Sequence, residues 1–209
     1  MPKQATAASV KARDAILSAG KTCFASVGFD GASTRQIAAM AGVTQGLLRY
    51  HFGSKHELWQ AVMDSYFTAM APDIAKTLNP APGKTLADQL IGTLRVLIRM
   101  CAADADFHRL MTIEARAPSD RLRWLVKTYV QDFFDTAIQL IRDGQRAGVV
   151  RDGDPVLLYY SAIAIAGTVY SQAPEMHLLT GTNTSPDPDD VERIITAALL
   201  VDPQEVPRG

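Results

Sequence analysis

Polar and cationic side chains gather in one short run, QGLLRYH, at residues 45–51. Gln45 carries an amide that can pair with an adenine edge, and Arg49 can pair with a guanine edge or a phosphate. Gly46 has no side chain that would obstruct the approach of a helix to the floor of the groove, and Leu47 can pack on a thymine methyl. These residue types favour a short helix that contacts base edges in double-stranded DNA.

Further side chains in this region suit phosphate oxygens, which set position rather than sequence. They are Tyr50 and His51 at the end of the run and Lys55 beyond it. Ser33 and Thr34 add hydroxyls and free backbone N–H groups at a predicted helix N-terminus, a favourable seat for a phosphate. Thr44, at the start of the next helix, completes the predicted DNA-binding set. A core aromatic at Tyr50 and a structural histidine at His51 are the alternatives.

Two short helices are expected to position these groups. Ser33 begins the first, and Thr44 caps the second, which runs to about Tyr50. Gly42 separates them, because glycine adopts a left-handed turn without steric penalty. The buried side of the first helix is expected to be Ile37, Ala38 and Met40. This spacing is typical of a helix-turn-helix, although many all-α proteins contain such a hairpin and bind no DNA.

Several residue pairs at fixed spacing point to a known family: Gly28-Phe29, Ser33-Thr34, Ile37-Ala38, Ala41-Gly42-Val43-Thr44, Gly46, Leu48, Tyr50-His51-Phe52, Ser54-Lys55 and Leu58. On these residues the stretch from about Val10 to Val62 resembles the TetR/AcrR family of bacterial transcriptional regulators. One position departs from the pattern, because Arg49 stands where the family commonly has a tyrosine. We therefore expect Arg49 to contact a phosphate or a guanine.

The resemblance implies an all-α homodimer whose three N-terminal helices bind an operator in double-stranded DNA. It also implies a larger domain that binds a small-molecule effector and releases the operator, so a repressor is expected. We assign residues 1–54 to the DNA-binding domain and residues 55–209 to the effector-binding and dimerisation domain. No cofactor or metal is expected.

The remaining sequence predicts helices and no strand, about nine helices in all. The expected bounds are 9–27, with Ser9 as its cap, then 55–78, 85–102, 104–117, 118–147, 154 to about 174, and 189–201. Glycines and prolines separate these segments, as at Gly28, residues 79–83 and Gly148. Asp154-Pro155 is typical of an N-cap followed by the first helical position.

An effector pocket is expected between helices of the C-terminal part, mainly apolar with a few polar groups. The candidate polar groups are Arg95, Arg99, His108, Glu114, Tyr129, Tyr159 and Tyr170. The candidate walls are Phe107, Met111, Trp124, Phe133 and Ile163. Each of these residues taken singly also fits an ordinary core or surface position.

Small and apolar residues in the last two predicted helices favour a four-helix dimer seam. The candidates are Ala162, Ile163, Ala166, Gly167, Ile194, Ile195, Ala198 and Leu199. Burial of these residues within one chain is the alternative.

Charge separates the two parts of the chain. Residues 1–60 hold seven basic and three acidic residues, a formal charge of +4, whereas the remainder holds 14 basic and 19 acidic residues, or −5. A basic N-terminal part suits a polyanion. No apolar run reaches the length of a membrane helix, and we expect a cytoplasmic protein with no membrane partner.

Other functions are less favoured by the sequence. Ser161, His177 and Asp187 could be imagined as a triad, but no catalytic motif surrounds them, so an enzyme on a helical scaffold is a minor alternative. A helical protein-interaction module without DNA binding is another. Cys23 and Cys101 lie in apolar patterns and are expected to be core residues, with a thiol switch as the alternative.

Overall fold

The computed structural model describes residues 7–78 and 82–201. Within those ranges the chain is helical, apart from loops and one isolated antiparallel bridge between Val150 and Leu200. The helices are α1 Ala7–Gly31, α2 Thr34–Met40, α3 Gln45–Phe52, α4 Lys55–Leu78, α5 Leu86–Ala103, α6 Ala105–Glu114, α7 Asp120–Leu125, a π segment Val126–Val130, α8 Gln131–Arg146, α9 Pro155–Ser171, α10 Ala173–Thr180 and α11 Pro188–Leu199. The all-α prediction is confirmed.

Two compact units make up the chain, one formed by residues up to Ala69 together with Arg109–Leu122. Its core is built from side chains that are completely or almost completely buried: Ile16, Phe24, Ile37, Leu48, Leu58, Trp59, Val62 and Met63. These residues come from α1, α2, α3 and α4, so the three N-terminal helices share one core with the start of α4.

Glycine shapes the end of α1. Gly28 has φ +72°, which interrupts the helix, and one further turn continues to Gly31. The predicted end at Val27 is therefore right for the regular helix and misses the extra turn. Ser9 lies inside the helix, which includes Ala7, so its predicted role as the cap was wrong.

The second unit consists of Met70–His108 together with residues from Arg123 onward. One part of its core joins Leu94, Ile98, Cys101, Ala162, Ala166, Tyr170 and Ile195, and another joins Leu90, Ala137, Ile138, Ile141, Val150 and Tyr159. Helices α5, α8, α9 and α11 supply all of these residues except Val150, and α5 and α9 each pack against α8 and α11.

Local caps set helix bounds that differ from those predicted from the apolar pattern. The helix expected over 118–147 begins at Asp120, because Ser119 Oγ accepts the backbone N–H of Leu122. It is also interrupted by the π segment. The helix expected over 104–117 ends at Glu114.

Proline explains the separate helix α10. The apolar pattern predicted a bend or an end near Pro174, and the structure ends α9 at Ser171 and starts α10 at Ala173, with Pro174 in its first turn. The predicted break over 79–83 lies partly outside the described residues, and Gly83 in its described part has φ +84°.

The length and apolarity of the helices bear on whether one of them could cross a membrane. In the described residues no single helix is long and apolar enough to cross a membrane, and one bent pair, Pro155–Ser171 with Ala173–Thr180, meets the criteria only jointly, with a 63° bend.

Candidate functional site

The two short helices α2 and α3 begin at side-chain caps. Ser33 Oγ accepts the backbone N–H of Gln36 at 3.1 Å, and Thr44 Oγ1 accepts that of Leu47 at 3.2 Å. Gly42 lies between them with φ +66°. The predicted capping residues and the glycine turn are therefore confirmed.

Burial divides α3 into two faces. Leu48 and Phe52 point into the core and are 1% and 7% exposed. Gln45, Gly46 and Arg49 are exposed, and Tyr50 is 78% exposed. An exposed aromatic and a cation beside a glycine form a surface that can meet a nucleic acid, so the core-aromatic alternative for Tyr50 is excluded.

A hydrogen bond links the two helices on this exposed side. Gln45 Nε2 donates to Thr34 Oγ1 at 2.9 Å. Thr34, Gln45, Gly46 and Arg49 all line one open depression on the surface. Gln45 keeps its second N–H and its carbonyl oxygen free of this bond, so it retains the pair of groups that an adenine edge requires.

Side chains on the buried side of α2 and α3 differ from the prediction at one position. Ile37 and Ala38 are buried, whereas Met40 is 49% exposed, so the prediction that Met40 is buried was wrong. Met40 is the last residue of α2, where the helix has already turned away from the core.

Lys55 is engaged inside this unit. Its Nζ donates to the carbonyl oxygens of Phe29 and Ala32, both at 2.9 Å, and lies 4.4 Å from the centroid of the Phe29 ring. Two of its three N–H donors are therefore used to hold the loop before α2, and one remains for a phosphate. Sequence reasoning missed this role because the acceptors lie 23 and 26 residues earlier.

His51 is half-buried between aromatic neighbours. Its ring lies 5.3 Å from that of Tyr50 and 6.3 Å from that of Phe52, measured between centroids. Its Nε2 is buried without a hydrogen bond to any residue that the structure describes. The His51 ring is thus packed mainly against neighbouring side chains of α3, which agrees with the alternative of a structural histidine.

Residues 16–62 match the family model described as bacterial regulatory proteins, tetR family. This segment contains α2, α3 and most of the buried core that supports them. Over this segment the chain matches the TetR family. Helix α3 is thus the second helix of the helix-turn-helix in the matched segment.

Similarity to known proteins extends over most of the chain. The HTH-type transcriptional regulator RutR of Escherichia coli strain K12 is 27% identical over 204 residues, 94% of each chain. The crystal structure of HlyIIR, a hemolysin II transcriptional regulator, has a TM-score of 0.70 at 20% identity and covers 93% of this chain and 99% of its own. AibR, crystallised with isovaleryl coenzyme A and operator DNA, has a TM-score of 0.68 at 15% identity, with coverages of 90% and 97%.

The two arginines predicted as polar groups of a pocket lie at the surface of the second unit. Arg95 forms hydrogen bonds of 2.7 and 2.9 Å to the carboxylate of Glu192, and Arg99 is exposed. Both arginines line one open depression on this surface, so their assignment to an effector pocket stays a prediction. Phe107, predicted as a wall of the pocket, is a buried core residue.

His108 packs directly against α9. A Cβ added at Gly167 would come within 1.9 Å of the His108 ring, so glycine is required there. His108 Nδ1 lies 3.2 Å from Ser171 Oγ, and burial lowers the pKa of its imidazole. These contacts bind α6 to α9 in the second unit.

The other predicted pocket residues are dispersed. Trp124 and Tyr129 pack edge to face with centroids 5.7 Å apart, and Tyr170 is buried in the core. Met111 and the buried Glu114 belong to the first unit. Glu114 Oε2 accepts a hydrogen bond from Arg121 Nε at 3.3 Å, so it is part of an ion pair within that unit.

A cavity of about 40 Å³ does lie between α5, α8 and α9. Of the predicted pocket residues, Phe133 and Tyr159 line it, and Ile163 packs against the adjoining core. Sequence reasoning missed its α5 wall of Leu90, Thr93, Leu94 and Leu97. The i, i+4 spacing of Leu90 and Leu94 signalled only burial.

Most of the residues predicted for a dimer seam are covered within the chain. Ala162, Ala166, Gly167, Ile195 and Leu199 are buried, which corrects their assignment to an interface. Ile163 is half-buried, and Ile194 and Ala198 are exposed. The exposed sides of α9 and α11 instead present Leu157, Tyr160 and Ile194, which are 66%, 57% and 60% exposed.

Both cysteines are buried, free thiols. Burial raises the pKa of Cys23 and raises that of Cys101 to about 12. The thiolate form that reacts with oxidants is thus disfavoured at both positions, which argues against a thiol switch. In the described residues no group of three or more metal-ligating side chains is close enough to hold a metal ion.

Proposed function

We propose that this protein is a ligand-responsive repressor that binds a palindromic operator as a homodimer and is released by a small hydrophobic effector. The observation that carries the proposal is the exposed face of α3, where Gln45, Arg49 and Tyr50 project from a family-typical helix-turn-helix. The buried Leu48 and Phe52 hold that face rigidly against the core.

Different parts of the exposed face are assigned different contacts. Gln45 and Arg49 read base edges, with Leu47 against a thymine methyl. Thr44 and Tyr50 contact the backbone next to them. Ser33 and Thr34, at the N-terminus of α2, bind a phosphate through backbone N–H groups. The remaining donor of Lys55 adds a weaker phosphate contact.

A two-fold dimer follows from the exposed apolar faces of the second unit. Leu157 and Tyr160 on α9 and Ile194 on α11 are large side chains that a monomer would leave in water. Pairing of these helices with a second copy would form a four-helix seam. Two identical DNA-binding heads then read the two halves of a palindrome. In this arrangement residues 1–54 act as the DNA-binding domain and 55–209 as the effector-binding and dimerisation domain, in the cytoplasm.

Response to an effector is supported by a relative of the same fold. AibR was crystallised with a small molecule and operator DNA. The second unit of this chain, Met70–His108 with the residues from Arg123 onward, is a separate helical unit with a cavity, which suits the same division of roles. A helical interaction module that has lost DNA binding, or an enzyme, would have no need of the exposed side chains on α3.

Selection of bound sequences from a random pool of double-stranded DNA tests the proposal directly. Enrichment of a palindrome is expected. Failure to enrich any sequence at low salt would leave the interaction-module alternative as the better account.

Arg49→Ala tests the assigned contact on the selected operator. Loss of one base-edge or phosphate contact is expected to weaken binding about tenfold, since such a contact contributes roughly 1–3 kcal/mol. Fluorescence anisotropy at fixed salt measures the affinity. Arg146→Ala, an exposed arginine at the end of α8, is the matched control and should leave the affinity unchanged. Affinity within twofold of the unaltered protein would exclude Arg49 as a DNA contact.

A further inference from the structure

The cavity of the second unit is apolar and larger than a packing gap. Phe133 and Ala137 of α8 face it together with Tyr159 and Ala162 of α9. Its volume is about 40 Å³, whereas one water needs only about 10–15 Å³. Every side chain around it except Thr93 and Tyr159 is apolar. Apolar cavities of this kind stay dry and accept small apolar molecules.

Electrostatics restrict what this cavity can hold. Among the described residues that line it, none carries a charge. Thr93 Oγ1 donates its hydrogen to the backbone oxygen of Gln89 at 2.9 Å, so it offers a guest only an acceptor. Burial, with a contribution from Tyr160, raises the pKa of Tyr159 to about 12, so its phenol stays neutral. A charged guest would lose its hydration without gaining a counter-ion.

The path of α8 supplies a means of enlarging the cavity. The π segment Val126–Val130 leads directly into α8, and Phe133 follows three residues later. Turns of this kind are rare and occur frequently at functional sites. Phe133 is only half-buried, and withdrawal of its ring by a rearrangement of the π turn would enlarge the cavity. Enlargement is needed because ligand pockets usually measure roughly 300–1,000 Å³.

We infer that this cavity is the effector site and that it takes an uncharged, largely hydrocarbon molecule bearing one hydroxyl or carbonyl oxygen. The inference rests on the proposed function and narrows it, because carboxylates, phosphates and amines are excluded. The Tyr159 hydroxyl donates to that oxygen, and Thr93 Oγ1 accepts a hydrogen bond from it where it is a hydroxyl. Ala162 and Leu199 place the guest against the inner sides of α9 and α11, whose outer sides carry the proposed dimer seam. Expansion of the cavity therefore displaces the helices that set the spacing of the two subunits.

1-Octanol and octanoate are matched probes for the charge restriction. Full-length protein without DNA is titrated with each by calorimetry, and its thermal unfolding is followed in parallel. Octanol is expected to bind saturably and raise the Tm, whereas octanoate binds at least about tenfold more weakly because its carboxylate must be buried unpaired. Equal affinity for octanoate would overturn the restriction, and absence of octanol binding would overturn the site.

Three substitutions in the second unit test the location. Ala137→Val adds two methyl groups to the cavity and is expected to weaken octanol binding about tenfold. Leu94→Ala enlarges the cavity and is expected to tighten binding of 1-decanol about tenfold, since each of the two added methylenes contributes roughly a factor of four. Ile138→Ala is the control, because Ile138 is buried beside Ala137 but does not line the cavity.

The variants separate this inference from a general affinity for alcohols. Unchanged affinities in Ala137→Val and Leu94→Ala, or an equal change in Ile138→Ala, would overturn the assignment to this cavity. If Ala137→Val fails to fold, Leu94→Ala with 1-decanol decides alone.

Operator binding provides the separate readout. Octanol should release the operator from the unaltered protein and fail to do so from Ala137→Val. Alcohol binding by a protein that selects no DNA would contradict the proposed function and leave the site standing. Operator binding without any alcohol binding would overturn the site and leave the function standing.

Discussion

At the scale of single residues, burial decides the chemistry of several charged groups. Glu114 is 4% exposed, and its Oε2 accepts a hydrogen bond from Arg121. The Arg121 guanidinium in turn lies 4.0 Å from the centroid of the Phe29 ring and 3.8 Å from a carboxylate oxygen of Asp30. Arg121, at the start of α7, therefore joins the end of α6 to the last turn of α1 within the first unit.

Glu114 is expected to make folding stability depend on pH. Burial raises its pKa, against the lowering effect of Arg121. The folded state thus holds the proton more tightly than the unfolded state, so stability falls as pH rises from the ordinary value near 4.5 toward the raised value. Glu114→Gln cannot ionise and should lose less stability across that window, as measured by urea unfolding at a series of pH values.

Glu175→Gln is the control, because Glu175 is exposed in the first turn of α10. A Glu114→Gln protein whose stability declines with pH as steeply as that of the unaltered protein would show that Glu114 is not the group responsible.

At the scale of helices, two glycines of the helix-turn-helix have opposite requirements. Gly42 needs its left-handed backbone, since φ is +66° although nothing lies within 4 Å of an added Cβ. Gly46 lies in the regular part of α3, and the nearest atom to an added Cβ is Thr44 Oγ1 at 3.9 Å. Backbone strain therefore restricts position 42 to glycine, whereas access to DNA is the reason for glycine at position 46.

A matched pair of alanine substitutions separates these requirements. Gly42→Ala is expected to lower the free energy of unfolding by about 1–2 kcal/mol through the strained turn. Gly46→Ala should preserve or raise it, by up to about 1 kcal/mol, because alanine favours a helix. Operator affinity should nevertheless fall in Gly46→Ala, since the methyl group obstructs the groove. Thermal unfolding and anisotropy measure the two quantities, and normal DNA binding by Gly46→Ala would refute the close approach.

At the scale of the whole molecule, the exposed apolar residues of α9 and α11 set the expected assembly. Leu157, Tyr160 and Ile194 are solvent-exposed in a single chain. Five of the small and apolar residues first assigned to a seam are buried inside the second unit instead. The dimer therefore depends on the outer sides of these helices.

Ile194→Glu is expected to produce a monomer, because a carboxylate in a closed apolar seam is left without a partner. Sedimentation at micromolar concentration measures the change, and affinity for a palindrome should fall with it. Leu178→Glu is the control, since Leu178 is 84% exposed on α10, outside the proposed seam. A dimer that persists in Ile194→Glu, or is lost equally in Leu178→Glu, would contradict this seam.

Local signals in the sequence determined the DNA-binding face. The caps at Ser33 and Thr44 act over three residues, and the turn at Gly42 depends on its own backbone. Such features are legible because their partners are neighbours in the chain. The family resemblance added the all-α fold, and RutR is similar over 94% of the chain.

Tertiary structure alone decided where side chains from distant segments meet. Arg95 pairs with Glu192, which is 97 residues away, a partner that no local pattern predicted. Lys55 found two carbonyl oxygens at the end of α1, which left it one donor for DNA. The sequence also did not show which side of α9 faces the core, because apolar residues surround this helix. Only its packing against α5 and α11 shows which of these residues are covered.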